Sequence, residues 1–290
     1  MKIHYLRSLL LLCGISVAAG ALAQTAKLEF PAPSPASTLK QRVGLTDMEI
    51  VYSRPSMKGR TIFGGMVPYN EVWRVGANAS TKISFSTPVK LNGNEVPAGK
   101  YALYAIPTEK DWTIIIHKDT SLFGAFGYKQ ENDLVRFQAT PISLSEHVET
   151  FTIEFSDLRD ESAILYLLWD QTLVPIKMEM KVVATLLPQI EATMASSEKK
   201  SAGVYYQAAS FYFNHDQDLK KALVWIDQGL VGKPMIAFEL LNLKAQILAK
   251  QGDKTGAITA AKESTELALK VEGPNSAFAR MNKELISKLQ

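Results

Sequence analysis

The chain has one cysteine, Cys13, in 290 residues, so disulfide stapling and thiol catalysis are excluded from everything beyond its first segment. Histidine is scarce as well: His4, His117, His147 and His215 stand alone, with no HExxH spacing and no carboxylate pattern of the calcium-loop kind. No dedicated metal site and no cofactor site is expected on these grounds. Excess charge of one sign is missing too. Of 32 basic residues, Lys2 and Arg7 fall in the opening segment, leaving 30 against 29 acidic residues and a net of +1. A polyanion partner needs clustered positive charge, so no nucleic acid is expected to bind. Long apolar runs are absent apart from residues 9–17, which follow Lys2 and Arg7 and break into Ala and Gly. That run is too short to span a bilayer, and Ala21 and Ala23 supply the small residues of a cleavage site. Residues 1–23 are therefore expected to be an export signal, leaving no integral membrane segment and a protein destined for the periplasm or the medium. Lipidation at Cys13 is disfavoured because leucines, not small residues, precede it.

What remains is rich enough in apolar residues, 47% of the chain, to bury a substantial core. Residues 24–40 contain PAPSPAS and read as an extended tether. From Gln41 the period is two: Met48, Ile50 and Tyr52 alternate, as do Ile83 and Phe85. Further strands are expected at 89–91, 101–106, 112–117, 134–140, 151–155, 164–169 and 174–183. Turn chemistry at Asn92-Gly93, at 97–99 and at 157–162 fits antiparallel reversals. Successive strands with no helices between them predict an antiparallel β-sandwich over residues 41–187.

Pro188 reads as the boundary, because residues 188–290 carry apolar positions at helical spacing. Ser210, Ala222 and Ile226 recur thirty-five positions later as Ala245, Ala257 and Ala261. This resembles tetratricopeptide repeats, in which small residues let paired helices approach closely, and it implies a protein partner for a small α-helical repeat domain. The fold class expected is thus mainly β plus α.

The densest chemistry lies in residues 52–78, YSRPSMKGRTIFGGMVPYNEVWRVGAN. Together with PAGKYALYAIP at 97–107 and EKDWTIIIHKD at 109–119, it resembles the bacterial family called domain of unknown function 2911, over about residues 38–181. That resemblance implies an exported all-β module without an established activity, and it assigns no catalytic residue. Arg54, Lys58, Arg60, Tyr69, Trp73, Arg74 and Asn78 suggest a site in which planar guanidinium forks hold an anion between aromatic walls. A small anionic or glycan-like ligand would suit it. The alternative is that the arginines pin a long loop through backbone carbonyls while Trp73 fills the core.

Other constellations are weaker. Ser143, Ser145 and His147 in the SLSEH run lack a nucleophile elbow and read as a polar loop. The glycines at 59–65 and at Gly124 and Gly127 read as turns, since no phosphate-loop context surrounds them. Trp112 and His117 fall on opposite faces of their strand, and Asp170 reads as a turn cap. Two functions compete: a non-enzymatic binding and interaction protein, and an envelope hydrolase acting on a carbohydrate or ester. Two facing carboxylates beside Arg60 and Arg74 would favour the hydrolase, and a pocket of arginine and aromatic groups alone would favour binding.

Overall fold

The computed structural model of the chain describes residues 29–290. The expected export signal and the start of the tether lie outside these residues. Ten strands follow: β1 (Ala36–Val43), β2 (Thr46–Ser53), β3 (Thr81–Phe85), β4 (Val89–Leu91), β5 (Asn94–Val96), β6 (Gly99–Ile106), β7 (Trp112–His117), β8 (Asp133–Ala139), β9 (Ile142–Ser156) and β10 (Ser162–Met180). They form two antiparallel sheets, one ordered β1-β2-β3-β6-β7-β8 and the other β5-β4-β10-β9. Ile50, Ile83 and Ile114 from the first sheet and Phe151, Leu165 and Ile176 from the second belong to one buried apolar cluster. Alternation put these side chains on one face of each strand, and burying that face is the main drive for the two sheets to meet.

Several boundaries differ from the sequence expectation. Strand β1 starts at Ala36, inside the stretch read as tether, and Arg54 N–H donates to Pro35 O at 2.9 Å. The strands expected at 164–169 and 174–183 are one strand, β10, whose pairing with β9 shifts register around Asp170. Asp170 has φ 53°, so this is a bulge within a strand and not a cap at a strand end. The SLSEH run is part of β9 and not a loop; its ladder with β10 and its largely exposed side chains explain why its composition reads as polar.

Pro188 does not mark the domain boundary. The chain leaves the sheet at Met180, and helix α1 (Val182–Ala195) carries Pro188 inside it. Val182 is 5% exposed and belongs to the β core, against which Leu186 one turn later also packs. The apolar spacing thus changes from two to four at Lys181. Five more helices follow: α2 (Ala202–Asn214), α3 (Leu219–Gly229), α4 (Ala237–Lys250), α5 (Lys254–Glu272) and α6 (Ala277–Leu289). α4 begins thirty-five residues after α2, and α5 thirty-five after α3, matching the repeat in the sequence. Ser201, Asp218, Asp253 and Ser276 cap α2, α3, α5 and α6 by accepting first-turn N–H groups. Phe211 of α2 packs on the β core, and Val183 N–H donates to Glu161 Oε1 at 2.7 Å, so the helices rest on the sheets. Among the described residues, no helix is long and apolar enough to cross a membrane.

Candidate functional site

The connection between β2 and β3, residues 54–80, spans one end of both sheets. Met57 N–H donates to Glu149 O at 2.8 Å and Phe151 N–H to Pro55 O at 2.9 Å, fastening it to β9. Trp73 and Ala105 exchange N–H donors at 2.7 and 2.9 Å, fastening it to β6. Between these attachments a small reversal, with Phe63 bridging Val67, folds the segment back on itself. Phe63 and Trp73 of this segment pack with Trp112, Phe151 and Trp169 beneath it, the contacting rings having centroids 4.8 to 6.3 Å apart. Mostly edge-to-face, such contacts fix ring orientation as well as burying area.

This geometry separates the residues the sequence grouped. Arg54 serves the scaffold: its Nε donates to Phe151 O at 3.0 Å and its Nη2 to Thr152 Oγ1 at 2.7 Å, on the β9 side. Lys58 is exposed, and its backbone N–H donates to Glu149. Tyr69 lies in a separate cleft, its ring against Gly64, where a Cβ would come within 2.7 Å of the ring. Arg60, Trp73, Arg74 and Asn78 do converge, on a cavity of about 280 Å³ closed by Ser34, Pro55, Met66 and Gly76.

In that cavity each arginine is partly committed. Arg60 Nε donates to Met57 O at 2.9 Å and Nη2 to Ser56 O at 2.7 Å. Arg74 Nη1 donates to Asn78 O at 2.9 Å. Among the described residues, Arg60 Nη1 and Arg74 Nε and Nη2 have no protein acceptor. A guanidinium anchored by one edge and open at another is oriented for a planar acceptor. The pinning and binding readings therefore divide by residue: Arg54 pins, while Arg60 and Arg74 are pinned with donors to spare. No carboxylate lines the cavity.

The turn bearing Arg74 and Asn78 is strained. Val75 is fully buried with φ 52°, an outlier for a β-branched residue, and Asn78 has φ 59°. Holding such a conformation costs of order 1–3 kcal/mol, so it persists only where surroundings over-determine it. Here the Thr81 hydroxyl donates to Val75 O, and the Trp73 indole N–H to Gly76 O at 3.2 Å. Gly76 itself lies so close to the chain that a Cβ would meet Ser53 O at 2.8 Å.

Sequence reasoning missed what lies on the far side of Arg74. Gly124 covers its guanidinium, with a Cβ position only 2.7 Å from Nη1, so this glycine makes room as well as turning the chain at φ 68°. Beneath the same loop, Tyr104 donates to Gly124 O at 3.0 Å and Ser80 to Leu122 O at 3.2 Å, while Lys82 donates to Ser80. Burial pulls the Lys82 ammonium below the usual lysine range, against the opposing pull of Asp119, and burial pushes the Tyr104 phenol up. His117 is fully buried and structural: Nδ1 accepts from Asp119 N–H at 3.1 Å and Nε2 donates to Lys129 O at 3.2 Å. Trp112 and His117 do face opposite sides of β7, Trp112 in the shared core and His117 against Tyr104 and Tyr128. His147 Nδ1 lies 2.5 Å from Asp170 Oδ1 on the exposed β9–β10 ladder, away from the arginine cavity. A larger concavity, about 670 Å³ across β1, β2 and β3, is already bridged by the Lys40–Glu49 and Arg42–Asp47 pairs.

Neither a curated protein nor a solved structure matches the sequence. A family described as "Protein of unknown function (DUF2911)" matches residues 34–178, half of the 290-residue chain and nearly all of both sheets. The chain therefore belongs to the DUF2911 family, followed by a C-terminal region of six helices.

Proposed function

We propose that this protein is an exported, non-enzymatic binding module whose β-sandwich takes a small anionic group, a carboxylate or sulfate, between Arg60 and Arg74. The observation that carries this reading is the makeup of the 280 Å³ cavity: two arginines with unshared donors, a tryptophan and an asparagine, and no acid. A hydrolytic site would need a carboxylate pair flanking the scissile bond, and none faces these arginines. The strained turn at Val75 and the cover supplied by Gly124 hold Arg74 before any ligand arrives, which lowers the ordering cost of binding. In the same reading the helical region is tetratricopeptide-like and docks a protein partner; the thirty-five-residue offset between α2/α3 and α4/α5 supports this. Calorimetric titration with sulfate, acetate, glucuronate and a sulfated sugar tests the anion site. Saturable binding that weakens about tenfold in Arg74→Lys, through loss of a bidentate contact, is the expected result. Equal affinity in the variant, or no anion bound by wild type, would remove the site.

A further inference from the structure

A second cleft, of about 230 Å³, opens on the other side of the aromatic cluster, where the reversal at 63–69 meets the start of β7 and the β9–β10 ladder. Phe63, Tyr69 and Trp112 form its apolar side, and Glu109, Ser143, Gln171 and Thr172 stand around them. Trp112 sits with its ring centroid 5.9 Å from that of Trp73, so the two cavities lie back to back on one aromatic wall.

Trp112 is the informative residue. It is 2% exposed, yet its indole N–H has no acceptor among the described residues. The corresponding groups of Trp73 and Trp169 donate to Gly76 O and Glu149 O. No buried side-chain nitrogen or oxygen among the described residues is left without a partner, so the Trp112 N–H must reach a surface, and the cleft is the surface Trp112 lines. A donor left to solvent on an otherwise buried ring that lines a cleft is a feature that a pure packing role does not require. The Tyr69 hydroxyl, Ser143 Oγ and Thr172 Oγ1 are likewise without protein partners among the described residues, and Gln171 engages only through Nε2, to Ser145 O at 3.4 Å. Tyr69 is preorganised, because Gly64, at φ 81°, leaves no Cβ to hold its ring away.

We infer that this cleft binds a neutral sugar ring. A pyranose offers an apolar C–H face for the Phe63, Tyr69 and Trp112 side and hydroxyls for the polar rim. Other chemistries fit less well. An aliphatic ligand would cover the Trp112 N–H and the hydroxyls and leave each unpaired beneath it. An anionic sugar would meet Glu109, the one carboxylate in the lining, with no cation to offset it. A nucleotide would find no positive charge. A lone carboxylate also argues for binding and not hydrolysis.

The test uses the full chain and a panel of neutral pyranoses, glucose, galactose, mannose and N-acetylglucosamine, read by saturation-transfer NMR and tryptophan fluorescence. At least one neutral sugar should bind saturably with a Kd of about 0.1–10 mM, as befits a shallow single-ring site. Tyr69→Ala should weaken it about tenfold, and Trp112→Phe, which removes the N–H together with the five-membered part of the indole, at least about fivefold. Gln171→Ala, at an exposed position that cannot disturb the core, should weaken it several-fold. Arg74→Lys should leave it unchanged, which separates this cleft from the anion cavity. The inference is overturned if no neutral sugar in the panel binds below about 50 mM, if Tyr69→Ala and Gln171→Ala bind as wild type, or if Arg74→Lys abolishes binding.

Discussion

Arg54 offers the sharpest way to separate arginines that hold the fold from arginines that face a cavity. Replacing it by Lys keeps the charge and most of the stem but leaves one nitrogen where the guanidinium used two. Nε to Phe151 O, at 3.0 Å, and Nη2 to Thr152 Oγ1, at 2.7 Å, cannot both be satisfied by an ammonium at the end of a different stem. A hydrogen bond from a charged donor contributes about 1.5–3 kcal/mol, and partial exposure puts these in the lower half, so the loss should be about 1.5–2 kcal/mol. In a chain of this size each kcal/mol moves the melting temperature by about 2–4 °C, giving an expected drop of about 3–8 °C. Thermal unfolding followed by circular dichroism reads the drop, and a sulfate titration on the same samples reads the site. The affinity should be unchanged, because Arg54 points to β9 and does not line the arginine cavity. A variant that melts like wild type, or one that loses anion affinity at full stability, would refute this division of labour.

Other expectations follow from the same geometry. Gly44→Ala should destabilise by about 2–4 kcal/mol, since it adds left-handed strain at φ 54° to a Cβ 2.3 Å from Asp160 O; a chemical denaturation midpoint equal to wild type would contradict it. A chain ending at Leu187 should still unfold cooperatively as a β protein, because Val182 and the strand core stay within it, though the loss of Phe211 should lower its midpoint; a non-cooperative melt would mean that sheets and helices share one folding unit. Glu191 is held below the usual carboxylate range by its Lys221 hydrogen bond and then by Tyr212. Its contribution is therefore complete above about pH 4.5 and lost as pH falls through the depressed value, and Glu191→Gln should flatten that acid limb of helix stability measured by circular dichroism. Tyr128, pushed up to about 12 by burial and by Asp133, contributes stability that is complete below pH 10 and lost as pH rises toward 12; ultraviolet titration of wild type against Tyr128→Phe should show the missing phenolate to be one that forms well above pH 10.

The parts of the fold that were legible in the sequence are those where one strand face is buried and the other is not. Met48, Ile50 and Tyr52, or Val174, Ile176, Met178 and Met180, carry the period of two because each alternate residue enters the common core. Strand β1 was hidden because it buries only Val43 and presents Lys40 and Arg42 to β2 as ion-paired edge residues. The irregular pairing around Asp170 hid the continuity of β10, since the buried positions pass there from Leu165, Leu167 and Trp169 to Val174 and Ile176, which breaks the alternation on which reading a strand depends. Pro188 misled because a helix can begin before a proline that it later accommodates, whereas Val182 and Leu186 already follow helical spacing onto the core. At the site, residue types were readable and their directions were not. The reversal bridged by Phe63 and Val67 sends Tyr69 to one side of the aromatic cluster and Arg74 to the other, five positions apart in sequence. No local pattern encodes that separation, which arises from the hydrogen bonds of Trp73 to β6 and of Met57 to β9.

The most direct test of the central claim is a sulfate and glucuronate titration of wild type, Arg60→Lys and Arg74→Lys, with each protein's melting temperature recorded alongside. Wild type should bind saturably, either variant should lose about tenfold, and the melting temperature should stay within about 2 °C of wild type for Arg74→Lys, whose protein contact is a single exposed bond to Asn78 O. Unchanged affinity in both variants, or a large fall in melting temperature with no anion bound by wild type, would contradict that claim and return both arginines to the scaffold.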